Sequence, residues 1–201
     1  MAVMLDSWDG RIDPESGCRL PLPSPDSMGV DGQRIVKRQL DPARGSLVGL
    51  HGPIGIRLHS PVIAESGQNL VDFFRRDSTL DAQTREVAIL ITARAHDSAF
   101  EWAAHAPLAR KVGVPDETVM AIAGHRPVDG LDERDALIIA IGRELFGERR
   151  LSGELYGAAI SRFGAKGFVE LVSLMAMYAG TASLLAAFDM QLPDGAEVLP
   201  V

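Results

Sequence analysis

An all-α fold of six to seven helices is what this sequence predicts, on three observations. Apolar residues recur at three- and four-residue offsets through most of the chain beyond residue 60. Asp, Ser and Pro stand where helix starts belong. No stretch alternates apolar with polar over strand length between turn signals. The 201 residues are 46% hydrophobic and 23% charged, a composition that supplies one domain with a sizeable core.

Residues 1–44 read as an irregular N-terminal arm, because DPESGCRLPLPSPDSMGVDG is dense in Pro, Gly, Asp and Ser, and the helical domain is expected over 45–201. An extended turn, GLHGPIGIRLHSP, leads into a helix from Pro61 to Arg76 with Val62, Leu70, Phe73 and Phe74 as its apolar positions. Asp81 caps the next helix, which runs to about Ala95 with Val87, Leu90, Ile91 and Arg94 at helical offsets. His96, Asp97 and Ser98 turn the chain into a helix that ends near Gly113, with Pro107 expected to bend it. Pro115 and Asp116 open a short helix to about Ala123, and HRPVDGL is a loop. Asp132 caps ERDALIIAIGRELF, Ser152 caps a helix through Phe163, and a buried helix follows Gly167. No internal repeat is evident.

Charge and cysteine content remove several function classes. The net charge is −7, and no Lys/Arg run exceeds local pairs such as Lys37-Arg38, so no nucleic-acid footprint is present. The single cysteine, Cys18, can form neither an internal disulfide nor a CxxC pair nor a Cys-based zinc site, which suits a reducing cytoplasm. The opening residues lack a basic start followed by an apolar run, so no secretion signal is expected. Phe168 to Phe188 is apolar and long enough to cross a bilayer. Glu170, the Gly180-Thr181-Ala182-Ser183 interruption and the lack of a basic flank favour a buried core or subunit-contact helix and no membrane partner.

The chemistry concentrates in FEWAAHAPLARKVG. Glu101 and His105, four residues apart, lie on one helix face that continues through Leu108 and Val112. That places a carboxylate and an imidazole at the edge of a buried surface, where both pKa values are perturbed. Glu86 shares a side of its own helix with Ile89, Leu90 and Ala93, so a carboxylate points at an apolar surface and requires a partner. Antiparallel packing of the two helices would bring it toward Glu101 and His105; a backbone amide is the structural alternative. Trp102 reads as a packing residue or a substrate platform. Arg94 reads as an ion-pair partner for Glu86 or Glu101, or as a clamp for a substrate carboxylate. His51, His59 and His125 lack mutual ligand spacing, so no metal is assigned.

In order and spacing, TREVAILITARAHDSAFEWAAHAPLARKVGVPDETVMAIA resembles the signature region of the carboxymuconolactone decarboxylase-like family. The resemblance extends from GPIGIRLHSP to the helix carrying Met177-Tyr178, roughly residues 45 to 190, and implies an alkylhydroperoxidase-like helical fold. Where that family's peroxidase branch carries CxxC followed by His, this chain has Ser98, Glu101 and His105. Thiol peroxidase chemistry needs an attacking thiolate and a resolving thiol, so it is not expected. Glu86 matches a glutamate to which the peroxidase branch assigns proton relay. The resemblance implies a decarboxylase-type lyase acting without cofactor on a small organic acid or lactone, with His105, Glu101 and Glu86 catalytic; Trp102, Arg94 and Tyr178 are the candidate substrate contacts. It also implies a homo-oligomer, trimer or hexamer. A lactone hydrolase or isomerase using the same residues, or a non-catalytic helical scaffold, stays open at this point.

Overall fold

A computed structural model describes residues 10–44, 46 and 48–200. Its described residues form eight α-helices and no strand: α1 Pro25–Gln39, α2 Pro53–Arg57, α3 Pro61–Arg76, α4 Ala82–Ala95, α5 Ala99–Lys111, α6 Asp116–Ala123, α7 Glu133–Gly147 and α8 Gly153–Ala187, with one 3₁₀ turn at Pro42–Arg44. This all-helical architecture is consistent with the alkylhydroperoxidase-like class.

Helix α4 is the axis of the molecule and packs against α5, α6, α7 and α8. Its residues from Glu86 to Ala93 are all buried, and Glu86 is the one charged residue among them. The main core joins Val87, Leu90 and Ile91 of α4 to Ile138, Ile139 and Ile141 of α7 and to Leu171, Leu174 and Met175 of α8. A Cβ at Gly142 would lie 2.7 Å from Ile91 Cγ1, so only glycine lets α7 approach α4 this closely. Asp81, Asp132 and Ser152 cap α4, α7 and α8 through bonds accepted from the amides of Thr84, Arg134 and Leu155.

Helix α8 is broken at Gly164, whose φ of 66° lies in the left-handed region, so the two expected helices, one through Phe163 and one after Gly167, meet end to end. By length and composition α8 could cross a membrane. Here its inward face, including Leu171, Leu174, Met175, Ala182 and Leu185, is buried in the fold, while Val169, Ser173, Ala176, Gly180 and Ser183 face outward. Pro107 sits inside α5 without ending it.

Two expectations need correction. The arm is not irregular throughout: Ser24 and Pro25 start α1, which Gly29 interrupts with a φ of 63°. Ile35 of α1 packs with Ile54, Leu58 and Ala64, Arg38 pairs with Asp72 of α3, and Cys18 is buried beside Ile56, Phe100 and Leu185. The residues before Gly10 lie outside the described part. The turn at GLHGPIGIRLHSP likewise contains a five-residue helix, α2. Both segments carry too little intrinsic helix propensity to announce themselves, and tertiary packing supplies the difference.

Candidate functional site

The turn after α4 folds α5 back along it. Asp97 takes a left-handed φ of 48°, and the Ser98 amide donates to the Ala93 carbonyl at 2.8 Å. The consequence is that Glu86 and His105, nineteen residues apart, meet: His105 Nδ1 lies 2.7 Å from Glu86 Oε2, and both side chains are buried. An ionised carboxylate only accepts, so Nδ1 carries the proton and Nε2 is the nitrogen left for chemistry. Nε2 stands 3.6 Å from Glu101 Oε2, a charge contact beyond hydrogen-bond reach, and 3.3 Å from the Tyr178 hydroxyl on α8. The Tyr178 ring meets the imidazole edge-to-face at 5.1 Å.

A cavity of about 120 Å³ opens on this Nε2 side. Glu101, His105 and Tyr178 line it together with Arg57 of α2, Arg75 of α3 and the apolar side chains of Val71, Phe100 and Met177. Arg57 is anchored by donating to Thr181 Oγ1 at 2.8 Å. A second cavity of about 40 Å³ lies on the Glu86 side, lined by Arg75, Arg85, Glu86, His105, Leu108 and Tyr178 among others. That is room for a few waters. His105 therefore separates two spaces, one toward Glu101 and one toward Glu86.

Electrostatics follow from this enclosure. Burial by itself would lower the His105 pKa, but its hydrogen bond to Glu86 and the charges of Glu86 and Glu101 outweigh burial and raise it above 6.5. Burial raises the Glu101 pKa above 4.5, with Glu86 adding to the effect and the His105 and Arg57 cations opposing it. Burial also pushes Tyr178 well above 10, so its hydroxyl stays protonated. Arg57 is pulled down by burial but remains a guanidinium at any ordinary pH. The site thus holds one carboxylate bonded to the imidazole, an imidazole that takes up a proton readily, a second carboxyl biased toward its neutral form, and cations on the wall. Among the described residues no group of three His, Cys, Asp or Glu side chains could hold a metal ion.

Residues 67–141 match the family described as carboxymuconolactone decarboxylase. No curated protein matches the chain at a significant level. The matched segment runs from Gly67 in α3 to Ile141 in α7 and includes Glu86, Glu101 and His105. Arg57, Tyr178 and Thr181 reach the same cavity from outside the matched segment.

The structure places the sequence candidates unequally. Glu86, Glu101, His105 and Tyr178 converge. Arg94 does not: its Nε donates to His125 Nε2 at 2.8 Å and its Nη1 to Asp97 Oδ1 at 2.9 Å and to the Pro200 carbonyl at 3.3 Å. It pairs with neither Glu86 nor Glu101 and is not on the cavity wall, because it sits in the last turn of α4, two turns beyond Glu86. Trp102 is a core residue, 1% exposed and packed into the main cluster. One residue past Glu101 is about 100° round the helix, which turns Trp102 away from the cavity. The cations that do line the cavity, Arg57 and Arg75, were not singled out from sequence. An arginine flanked by Ile54, Ile56 and Leu58 is the local signal for Arg57, since such a side chain must find partners within an apolar setting.

Proposed function

We propose that this chain is a decarboxylase-type carbon-carbon lyase that works on a small organic acid or lactone by proton transfer through His105. The observation that carries this reading is the His105 ring itself, hydrogen-bonded to Glu86 at Nδ1 and presenting Nε2 to a partly apolar cavity beside Glu101 and Tyr178. A substrate carboxylate would sit toward Arg57 and Arg75. Carbon dioxide leaves with cleavage of the carbon-carboxylate bond, the electron pair stays on the substrate carbon, and His105 Nε2–H delivers a proton there. Glu86 holds the imidazole in position and stabilises its cation; Nε2 regains its proton from solvent entering the larger cavity after the product leaves. Glu101 biases the charge at Nε2 and offers a second proton. General acid/base help of this kind contributes a factor of about 10² to 10⁴.

The test is a screen of the purified protein against carboxylated lactones and short β-keto acids, following both carbon dioxide release and substrate absorbance. His105→Gln should remove turnover while the helical circular dichroism signal stays. Turnover that survives this change would overturn the mechanism. Loss of lactone absorbance without carbon dioxide would assign ring opening by the same groups instead.

A further inference from the structure

We infer that the substrate of this site is amphiphilic, with a polar reacting head at His105 and an apolar arm that runs across Phe100 and Ala104 into an adjoining groove. The inference deepens the proposed function and rests on the His105 cavity being the substrate site.

The groove has a volume of about 210 Å³ and is lined by Val48, Phe100, Ala103, Ala104, Pro193 and Ala196, none with a polar side chain. Three of these, Val48, Phe100 and Ala104, also line the His105 cavity, so the two spaces lie side by side and share a wall. Helix α5 explains the join. Glu101 and His105 form one row at a four-residue offset, and Phe100 and Ala104 form a parallel row displaced by one residue, about 100° round the helix. A ligand held with its reactive carbon at Nε2 therefore lies beside a strip of aromatic and methyl surface. Ala103 and Ala104 are small enough to leave that strip open, and Pro193 and Ala196, from the segment after α8, form the opposite bank. Charge is divided in the same way: Arg57 and Arg75 line the His105 cavity and no charged residue lines the groove. A compact substrate with carboxylates at both ends would leave the groove unfilled or bury a charge against it, which is costly without a partner. An alkyl or aryl arm fills it and removes the half-buried Val48, Ala103, Ala104 and Ala196 from water.

The experiment measures binding of straight-chain monocarboxylates (acetate, butyrate, hexanoate and octanoate) to the full chain by titration calorimetry and ligand-observed NMR. Each methylene that enters the groove should tighten binding about two- to fourfold. In Ala103→Trp and Ala196→Trp, which place an indole in the groove, affinity should vary by no more than about twofold across the series. Ala196→Trp lies outside the helices and tests the same point without touching α5. Affinities that are measurable but flat with chain length in the unaltered protein would overturn the arm and leave the His105 reading standing. A chain-length gain that persists in both variants would place the arm elsewhere and likewise overturn it. Absence of any carboxylate binding would overturn the arm together with the reading on which it rests.

Discussion

Two buried carboxylates of this fold, Glu101 and Glu170, have opposite surroundings, and the difference separates chemistry from scaffolding. Glu170 of α8 accepts from the Thr79 amide at 2.8 Å, the Thr79 hydroxyl at 2.7 Å and the Ser78 hydroxyl at 3.0 Å, with Lys166 at 3.7 Å. Burial pushes its pKa up, but these donors more than offset burial and hold it below 4.5. Its charge is fully used in tying α8 to the turn before α4. Glu101 has His105 Nε2 at 3.6 Å and a cavity beside it. Burial is not offset there, and its pKa rises. A carboxylate whose hydrogen bonds are satisfied fixes a fold; one left short of donors beside an imidazole is available for proton transfer.

The largest effect that sharpens this contrast is on turnover. His105→Gln should lower kcat by about 10² to 10⁴ while the helical circular dichroism signal is kept, whereas Glu170→Gln should leave kcat within a few-fold. Equal losses from both variants would erase the distinction. The next effect is on stability. Glu170→Gln exchanges a charged acceptor of three bonds for a neutral amide and should cost about 1–3 kcal/mol, read by thermal or urea unfolding. For a chain of this length that corresponds to a drop of roughly 2–4 °C per kcal/mol.

Stability against pH should then tilt in opposite directions for the two carboxyls. The folded-state pKa of Glu101 is raised, so its contribution is present below 4.5 and is lost as pH rises through the folded value. His105 behaves alike, with its contribution complete below 6.5 and lost as pH rises above it. Glu170 is lowered, so its contribution is present above 4.5 and is lost as pH falls through its folded value. Urea midpoints measured across pH should therefore show Glu101→Gln flattening the alkaline side of the profile and Glu170→Gln the acid side. Steepening on either side would contradict the assignment.

Smaller effects report on the relay itself. Glu86→Gln removes the charge and the anionic acceptor at Nδ1, so an NMR titration of His105 should give a pKa below that of the unaltered protein. An unchanged value would mean that Glu86 does not control the imidazole. Tyr178→Phe deletes the hydroxyl 3.3 Å from Nε2 and should cost turnover only a few-fold, since the contact is long and the ring packing is kept.

Much of this was legible in the chain because it is encoded locally. Asp81, Asp132 and Ser152 announce helix starts by residue type, and the four-residue step between Glu101 and His105 fixes their shared face whatever packs on it. The charged Glu86 within an otherwise apolar run also declares that it needs a partner. Helix α1 was hidden by Gly29 and Gly32, and α2 by its five-residue length, since neither segment holds a helix without the surfaces it packs on.

By itself, then, the sequence determined the helical class, most helix boundaries and the acid-imidazole pair, each set by interactions within a few residues. Only the tertiary structure decided that Glu86 reaches His105, that Arg57 and Arg75 rather than Arg94 face the cavity, and that Trp102 belongs to the core. Those outcomes depend on how α2, α3 and α8 are set against α4 and α5. Contacts between residues far apart in the chain follow from the packing of whole faces, and no local pattern records them.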